Sequence, residues 1–152
     1  MSHSPVSKRG FTLIEMMIVL TIIALVVSAG IMKFGEPMRT ASLESSHASV
    51  LTTIESARHK SVSGVGGVPH GVRIEENQIE TFQSNATATP LTSLTLPSHL
   101  SLVDEDGEPA EAEMTFQRIS GVVGGAGYVL YVRDSTTGES RKVTITEDGY
   151  VY

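Results

Sequence analysis

Lys8-Arg9-Gly10-Phe11-Thr12-Leu13-Ile14-Glu15 opens an apolar run that continues to Met32, and its reading decides the fold. After Glu15 no charge occurs until Lys33. About 20 predominantly apolar residues cross a bilayer core, so residues 11–32 are expected to form a helix that can span a membrane. Glu15 sits near the start of that run. A charged side chain at the centre of a membrane helix costs about 2.5–3.5 kcal/mol, so a carboxylate there needs a partner. Cleavage between Gly10 and Phe11 would create one: a new α-amine four residues before Glu15, able to neutralise it within one chain or between neighbours.

Two plainer readings compete. An ordinary secretory signal would use Lys8 and Arg9 as its basic region and Val27-Ser28-Ala29 as its cleavage site. The apolar run exceeds the usual 7–15 residues of such a signal, and Glu15 lies inside it. A simple anchor helix with an incidental Glu leaves the Gly-Phe-Thr-Leu-Ile-Glu string unaccounted for. The basic residues before the run place residues 1–10 in the cytoplasm and the rest outside.

Residues 8 to 27, KRG followed by FTLIEMMIVLTIIALVV, resemble the type IV prepilin family: a short basic leader ending in Gly, then Phe-Thr-Leu-Ile-Glu and an apolar helix. The resemblance implies that a prepilin peptidase/N-methyltransferase cuts after Gly10 and methylates Phe11. It implies that Glu15 helps dock subunits into a filament. The expected partners are that enzyme, other pilin or pseudopilin subunits, an inner-membrane assembly platform and membrane lipid. The expected location is a single-pass inner-membrane protein, N-terminus inside, that is assembled into an extracytoplasmic filament.

The chain has 152 residues, 11 basic and 17 acidic. Only Lys8, Arg9 and Glu15 precede Lys33, so residues 33–152 carry 9 basic and 16 acidic side chains. That acidic balance argues against capture of nucleic acid, which needs clustered Lys and Arg. There is no cysteine. Many pilins close their C-terminal region with a disulfide; this chain departs from that pattern and must hold by packing.

Four segments are expected: a leader at 1–10, the apolar helix at 11–32, an amphipathic second half of the helix at 33–63, and an antiparallel β domain at 64–152. Gly30, Gly35 and Pro37 predict a kink or weakened turn between Gly30 and Met38, since Pro removes a helix hydrogen bond and Gly disfavours the helix. Unbroken, residues 11–63 would reach about 80 Å. In the second half, Ala48, Leu51, Ile54, Ala57, Arg58 and Val62 recur at three- and four-residue spacing, widened by Val50, and predict a stripe that packs on a sheet. Ile54-Glu55-Ser56-Ala57-Arg58 resembles the signature near the helix end of GspH/FimT-type minor pilins and pseudopilins. Against that stands the reading of Arg58 as a solvated or snorkelling charge.

Ser63-Gly64-Val65-Gly66-Gly67 ends the helix. It is no phosphate loop, since no Gly-Lys-Ser/Thr follows. Gly71–Ile74 and Gln78–Phe82 predict a hairpin turning at Glu76-Asn77. Residues 83–93 read as a surface loop, and Asn85-Ala86-Thr87 matches a glycosylation sequon. Leu94–Leu96 and Leu100–Val103 read as strand pieces broken at Pro97. Residues 113–119, 128–132 and 142–146 read as strands, residues 121–127 as a mobile or bulged connection, and Tyr150-Val151-Tyr152 as a last strand after a Glu147-Asp148-Gly149 turn. The order from Met114 onward is similar to the C-terminal half of GspH/FimT-type subunits. The fold class is therefore α+β: a long N-terminal helical spine packed on a small antiparallel sheet.

No catalytic constellation emerges. His3, His47, His59, His70 and His99 are scattered, without metal-ligand spacing. No Gly-x-Ser-x-Gly elbow or Cys nucleophile is present. Asp104-Glu105-Asp106-Gly107-Glu108 offers oxygen ligands; without EF-hand spacing it reads as an exposed acidic turn, with a calcium site as the lesser alternative. The sequence implies no enzyme, metal or cofactor. It implies a structural subunit, a minor pilin of a type IV pilus. The alternatives are a GspH-like pseudopilin of a type II secretion system, or a tip subunit with an adhesive or DNA-uptake role. Gly10, Phe11 and Glu15 are its processing and assembly determinants.

Overall fold

A helix start fixes the first element. The computed structural model describes residues 11–31, 35–85 and 89–152. The chain divides into two units, Met1–Arg39 and Thr40–Tyr152, each considered by itself. The first holds α1 (Leu13–Ile31) and the beginning of α2 (Gly35–Val62). The kink expected around Gly30 to Met38 falls partly outside the described residues.

In the second unit α2 buries Leu43, Ser46, Val50, Ile54, Ala57 and Ser61, at alternating three- and four-residue spacing. This corrects the expected stripe. Ile54 and Ala57 are buried as expected, but Leu51 and Arg58 are half-buried and Ala48 and Val62 are exposed. The apolar pattern was misplaced because two of the buried positions are serines. Ser61 is admissible in the core because its hydroxyl is satisfied. It accepts from the His70 backbone N–H at 2.6 Å and donates to the His70 carbonyl at 3.2 Å.

Gly64, in the left-handed conformation at φ 67°, stops the helix, and a 3₁₀ turn at Val65–Gly67 leads into the strands. The strands are β1 (His70–Glu75), β2 (Gln78–Gln83), β3 (Thr89–Thr95), β4 (Leu100–Val103), β5 (Ala112–Phe116), β6 (Tyr128–Asp134) and β7 (Ser140–Ile145). They form two antiparallel sheets, β3-β2-β1-β5 and β4-β6-β7, where one was expected. The β1–β2 hairpin is as read, with Glu75 opposite Gln78. Two other expectations need correction, at residues 83–93 and 150–152, while the strand pieces broken at Pro97 are as read. The supposed loop at 83–93 already contains β3, which pairs with β2 from Thr89 onward. The pieces on either side of Pro97 belong to different sheets. Tyr150–Tyr152 makes one bridge, Val151 to Ile145, and exchanges backbone hydrogen bonds between Tyr152 and Thr144, without becoming a full strand.

One core joins both sheets to α2. Val50, Ile54 and Ala57 from the helix share a cluster with Val72, Ile79 and Phe116 of the first sheet and Leu130, Val143 and Ile145 of the second. The turn after β6 is held by Asp134, whose Oδ1 accepts from the Thr136 and Thr137 N–H groups at 2.7 and 3.1 Å. The acidic turn after β4 is built the same way: Asp104 Oδ1 accepts from the N–H groups of Asp106 and Glu108. Among the described residues no group of three or more His, Asp or Glu side chains is arranged to hold a metal.

His70 is fully buried, and neither ring nitrogen has a hydrogen-bond partner. Burial first, and the Lys60 ammonium second, push its pKa below the usual 6.5, outweighing a smaller upward pull from the Val68 backbone, which lies near the ring without good hydrogen-bond geometry. The neutral ring is therefore the folded form. Its contribution to stability is complete above about pH 6.5 and is lost as pH falls from there toward the depressed folded value. Thermal unfolding of the full chain in detergent should show a midpoint that drops between pH 7 and 5. His70→Leu should remove part of that drop. An unchanged pH profile in the variant would contradict this role.

Candidate assembly site

Thr12 precedes the first turn of α1, and its Oγ1 accepts from the Glu15 backbone N–H at 3.3 Å. The Met16 N–H donates to the Thr12 carbonyl at 3.2 Å. Thr12 is thus the N-cap, and Thr12-Leu13-Ile14-Glu15 has the spacing of a capping box. This is a local reason for two letters of the motif, and its only signal in the sequence is the Thr-x-x-Glu spacing. The structure places Phe11 and Glu15 at the same helix end, both exposed, with Phe11 80% accessible. Gly10 lies outside the described residues.

Among the described side chains of α1, none is buried. Its large apolar side chains from Leu13 to Val27 are 45–80% exposed, and Glu15 is the one charged residue in the helix. An apolar surface of this extent requires lipid or other protein against it. Among the described residues no helix is by itself long and apolar enough to cross a membrane. With 19 residues, α1 rises about 28 Å against a hydrocarbon core of about 30 Å, and the expected span at 11–32 runs past both its ends.

A second cluster lies at the C-terminal end of α2. The Arg58 guanidinium stacks on the Tyr150 ring, 4.5 Å from its centroid. Its Nε is buried without a hydrogen-bond partner. Gly121 and Gly149, both at positive φ, press together beside it, and Val62 closes on Gly121. Arg58 is thus a packed residue, tying the last turns of α2 to the chain's C-terminal segment. It is not a freely solvated charge.

Comparison with known proteins follows this division. Residues 6–31 match the family described as the prokaryotic N-terminal methylation motif. Two solved structures share the fold, and both are minor pseudopilins. The first is the structure of the minor pseudopilin EpsH from the Type 2 Secretion System of Vibrio cholerae. It has 22% identity and a TM-score of 0.56, over 73% of this chain and 94% of that one. The second, a crystal structure of the minor pseudopilin EPSH from the type II secretion system of Vibrio cholerae, has 18% identity and a TM-score of 0.54, over 74% and 92%. A comparison with curated protein sequences returned no significant match. The chain thus carries a prepilin-type N-terminal motif on an α+β domain with antiparallel sheets. The fold of that domain is similar to that of EpsH.

Proposed function

We propose that this chain is a minor structural subunit of a type IV pilus, inserted as a precursor, cut after Gly10, N-methylated at Phe11 and assembled through its N-terminal helix. One observation carries the reading: an N-capped helix, apolar on every side, whose sole charge is Glu15. Before assembly lipid covers that surface. In a filament neighbouring helices cover it, so transfer exchanges one apolar environment for another. Glu15 then meets the Phe11 amine of a neighbour. The subunit is a single-pass inner-membrane protein until an assembly platform extracts it, and the 40–152 domain faces solvent.

The fold likeness to EpsH favours a second reading, a pseudopilin of a type II secretion system. Sheared surface filaments, probed for this chain in cells with and without each assembly ATPase, separate the two. Incorporation that depends on the pilus ATPase supports the first reading; dependence on the secretion ATPase supports the second. A chain that stays in the membrane fraction under both conditions contradicts both.

A further inference from the structure

A sheet edge exposes backbone N–H and C=O groups that another strand can pair with, so proteins blunt their edges with short strands, charges or covering chain. This domain does so at three of its four edges. β4 has only four residues, and the Ala110 N–H donates to the Leu102 carbonyl at 2.9 Å on its outer side. β5 carries Glu113 and is bridged by Val123 at Phe116. β7 carries Arg141 and Lys142, and Tyr152 exchanges backbone bonds with Thr144. β3 is different. It is seven residues long and uncharged, Thr89-Pro90-Leu91-Thr92-Ser93-Leu94-Thr95. β2 covers one side of it, and among the described residues nothing pairs with the other. The bond from the Leu96 N–H to the Asn77 carbonyl sets the phase of the ladder. With Gln78 opposite Thr95 and Glu80 opposite Ser93, the backbone groups of Ser93 and Thr95 point away from β2. Pro90 blunts only the start of the strand.

Beside that edge lies a groove of about 560 Å³, walled by Ala48, Thr52 and Ser56 of α2 on one side and by Thr81, Thr92 and Leu94 of β2 and β3 on the other. Its hydroxyls offer little to a polar ligand. Ser49, Thr52 and Thr53 donate to α2's own carbonyls four residues back, at 2.9, 2.8 and 2.8 Å. Side chains of a strand alternate between its faces. A strand paired on β3 therefore lays every second side chain under α2, next to Thr92 and Leu94. Among the described residues the one charge lining the groove is Lys60, and it forms no salt bridge. Ser61 is bonded to His70, His70 stands opposite Gln83, and Gln83 opposite Thr89, so Lys60 lies toward the start of β3.

We infer that β3 receives an extended strand of a second, different protein, whose apolar side chains enter the groove and whose carboxylate pairs with Lys60. Backbone pairing gives the affinity, and the groove with its cation gives the specificity. The outward-facing backbone groups select a strand over a helix. Lys60 selects an acidic residue at the end of the occupant that lies by the start of β3. A second copy pairing through its own β3 brings no carboxylate to Lys60, because that strand has no charge. This goes beyond the filament-subunit reading: it concerns what the 40–152 domain holds, not how α1 is packed.

The probe is a synthetic peptide, Thr-Val-Thr-Val-Thr-Leu-Thr-Asp with an amidated C-terminus, added to the full chain in detergent and read by amide hydrogen exchange. Exchange at Ser93 and Thr95 should slow at least about tenfold at saturation. The same peptide N-methylated on every backbone amide cannot donate and should give no protection. A peptide with Lys in place of Asp should bind at least about tenfold more weakly, and Lys60→Glu should reverse that order. Ser93→Pro removes an outward N–H from an exposed edge, so it should keep the melting midpoint and lose binding. Binding that survives both Ser93→Pro and N-methylation, or no protection from any peptide, would overturn the inference. So would protection that rises with the chain's own concentration in the absence of peptide, which would assign the edge to a second copy.

Discussion

Glu15→Ala should leave membrane insertion intact or improved while filament incorporation falls at least about a hundred-fold. The sign follows from the two environments. In the membrane the carboxylate is a cost, about 2.5–3.5 kcal/mol at a helix centre and less near an end, so its removal favours insertion. In the proposed filament the same carboxylate would balance a neighbour's amine in a water-poor core. Breaking such a pair on one side costs about 3–5 kcal/mol, because the other charge is left buried and alone. The capping geometry supplies a control. Glu15 occupies the third helical position after the Thr12 N-cap, where Gln serves as well as Glu. Glu15→Gln therefore keeps the cap and removes the charge. If pairing is the role, Gln fails as badly as Ala. If capping is the role, Gln assembles like the parent chain. Filament yield in the sheared fraction, normalised to membrane-inserted precursor, distinguishes them.

Gly149→Val should destabilise the folded domain by roughly 2–5 kcal/mol. Two costs add. Gly149 has φ 78°, a conformation that costs a side-chain-bearing residue about 1–2 kcal/mol. A Cβ there would also run into the Gly121 carbonyl oxygen and approach Arg58 Nε at 3.1 Å, and overpacking of this sort costs about 1–3 kcal/mol. Because Gly121 carries a positive φ of its own and is itself packed against Val62, neither backbone can yield easily. The Arg58–Tyr150 stack should be lost with it. Chemical denaturation of the full chain in detergent reports the change as a shift in midpoint. A shift of less than a few tenths of a kcal/mol would mean that the Gly121–Gly149 contact is not part of the stable fold.

What the sequence made legible depended on how local each signal is. Phe11-Thr12-Leu13-Ile14-Glu15 is read from adjacent letters, and so are the Glu76-Asn77 hairpin and the Glu147-Asp148-Gly149 turn, where the Gly149 N–H bonds back to the Thr146 carbonyl. The unbroken apolar run at residues 128–132 announced β6. The division into two sheets was not legible, because strand partners are set by contacts far apart in the chain. Thr89–Thr95 concealed β3: as an edge strand exposed over most of its length it needs little apolar alternation. Ser46 and Ser61 concealed the true buried face of α2, and only the bond to His70 makes Ser61 intelligible there. Arg58 could be recognised by its neighbourhood in the chain, but the stack on Tyr150 that explains it spans 92 positions. Ile119, at φ 72°, is the extreme case, since a β-branched residue type argues against the conformation it adopts. The sites read in advance are those written in consecutive residues, and the ones missed are assembled from distant segments.

Processing as a prepilin-like subunit is the proposal on which the rest depends. Mass spectrometry of the mature N-terminus, taken from the membrane or filament fraction, tests it most directly. The expected mature chain begins at Phe11 and carries an N-methyl group on its α-amine. A chain that begins at Gly30, as a secretory signal would leave it, or one that retains Met1–Gly10, would contradict it.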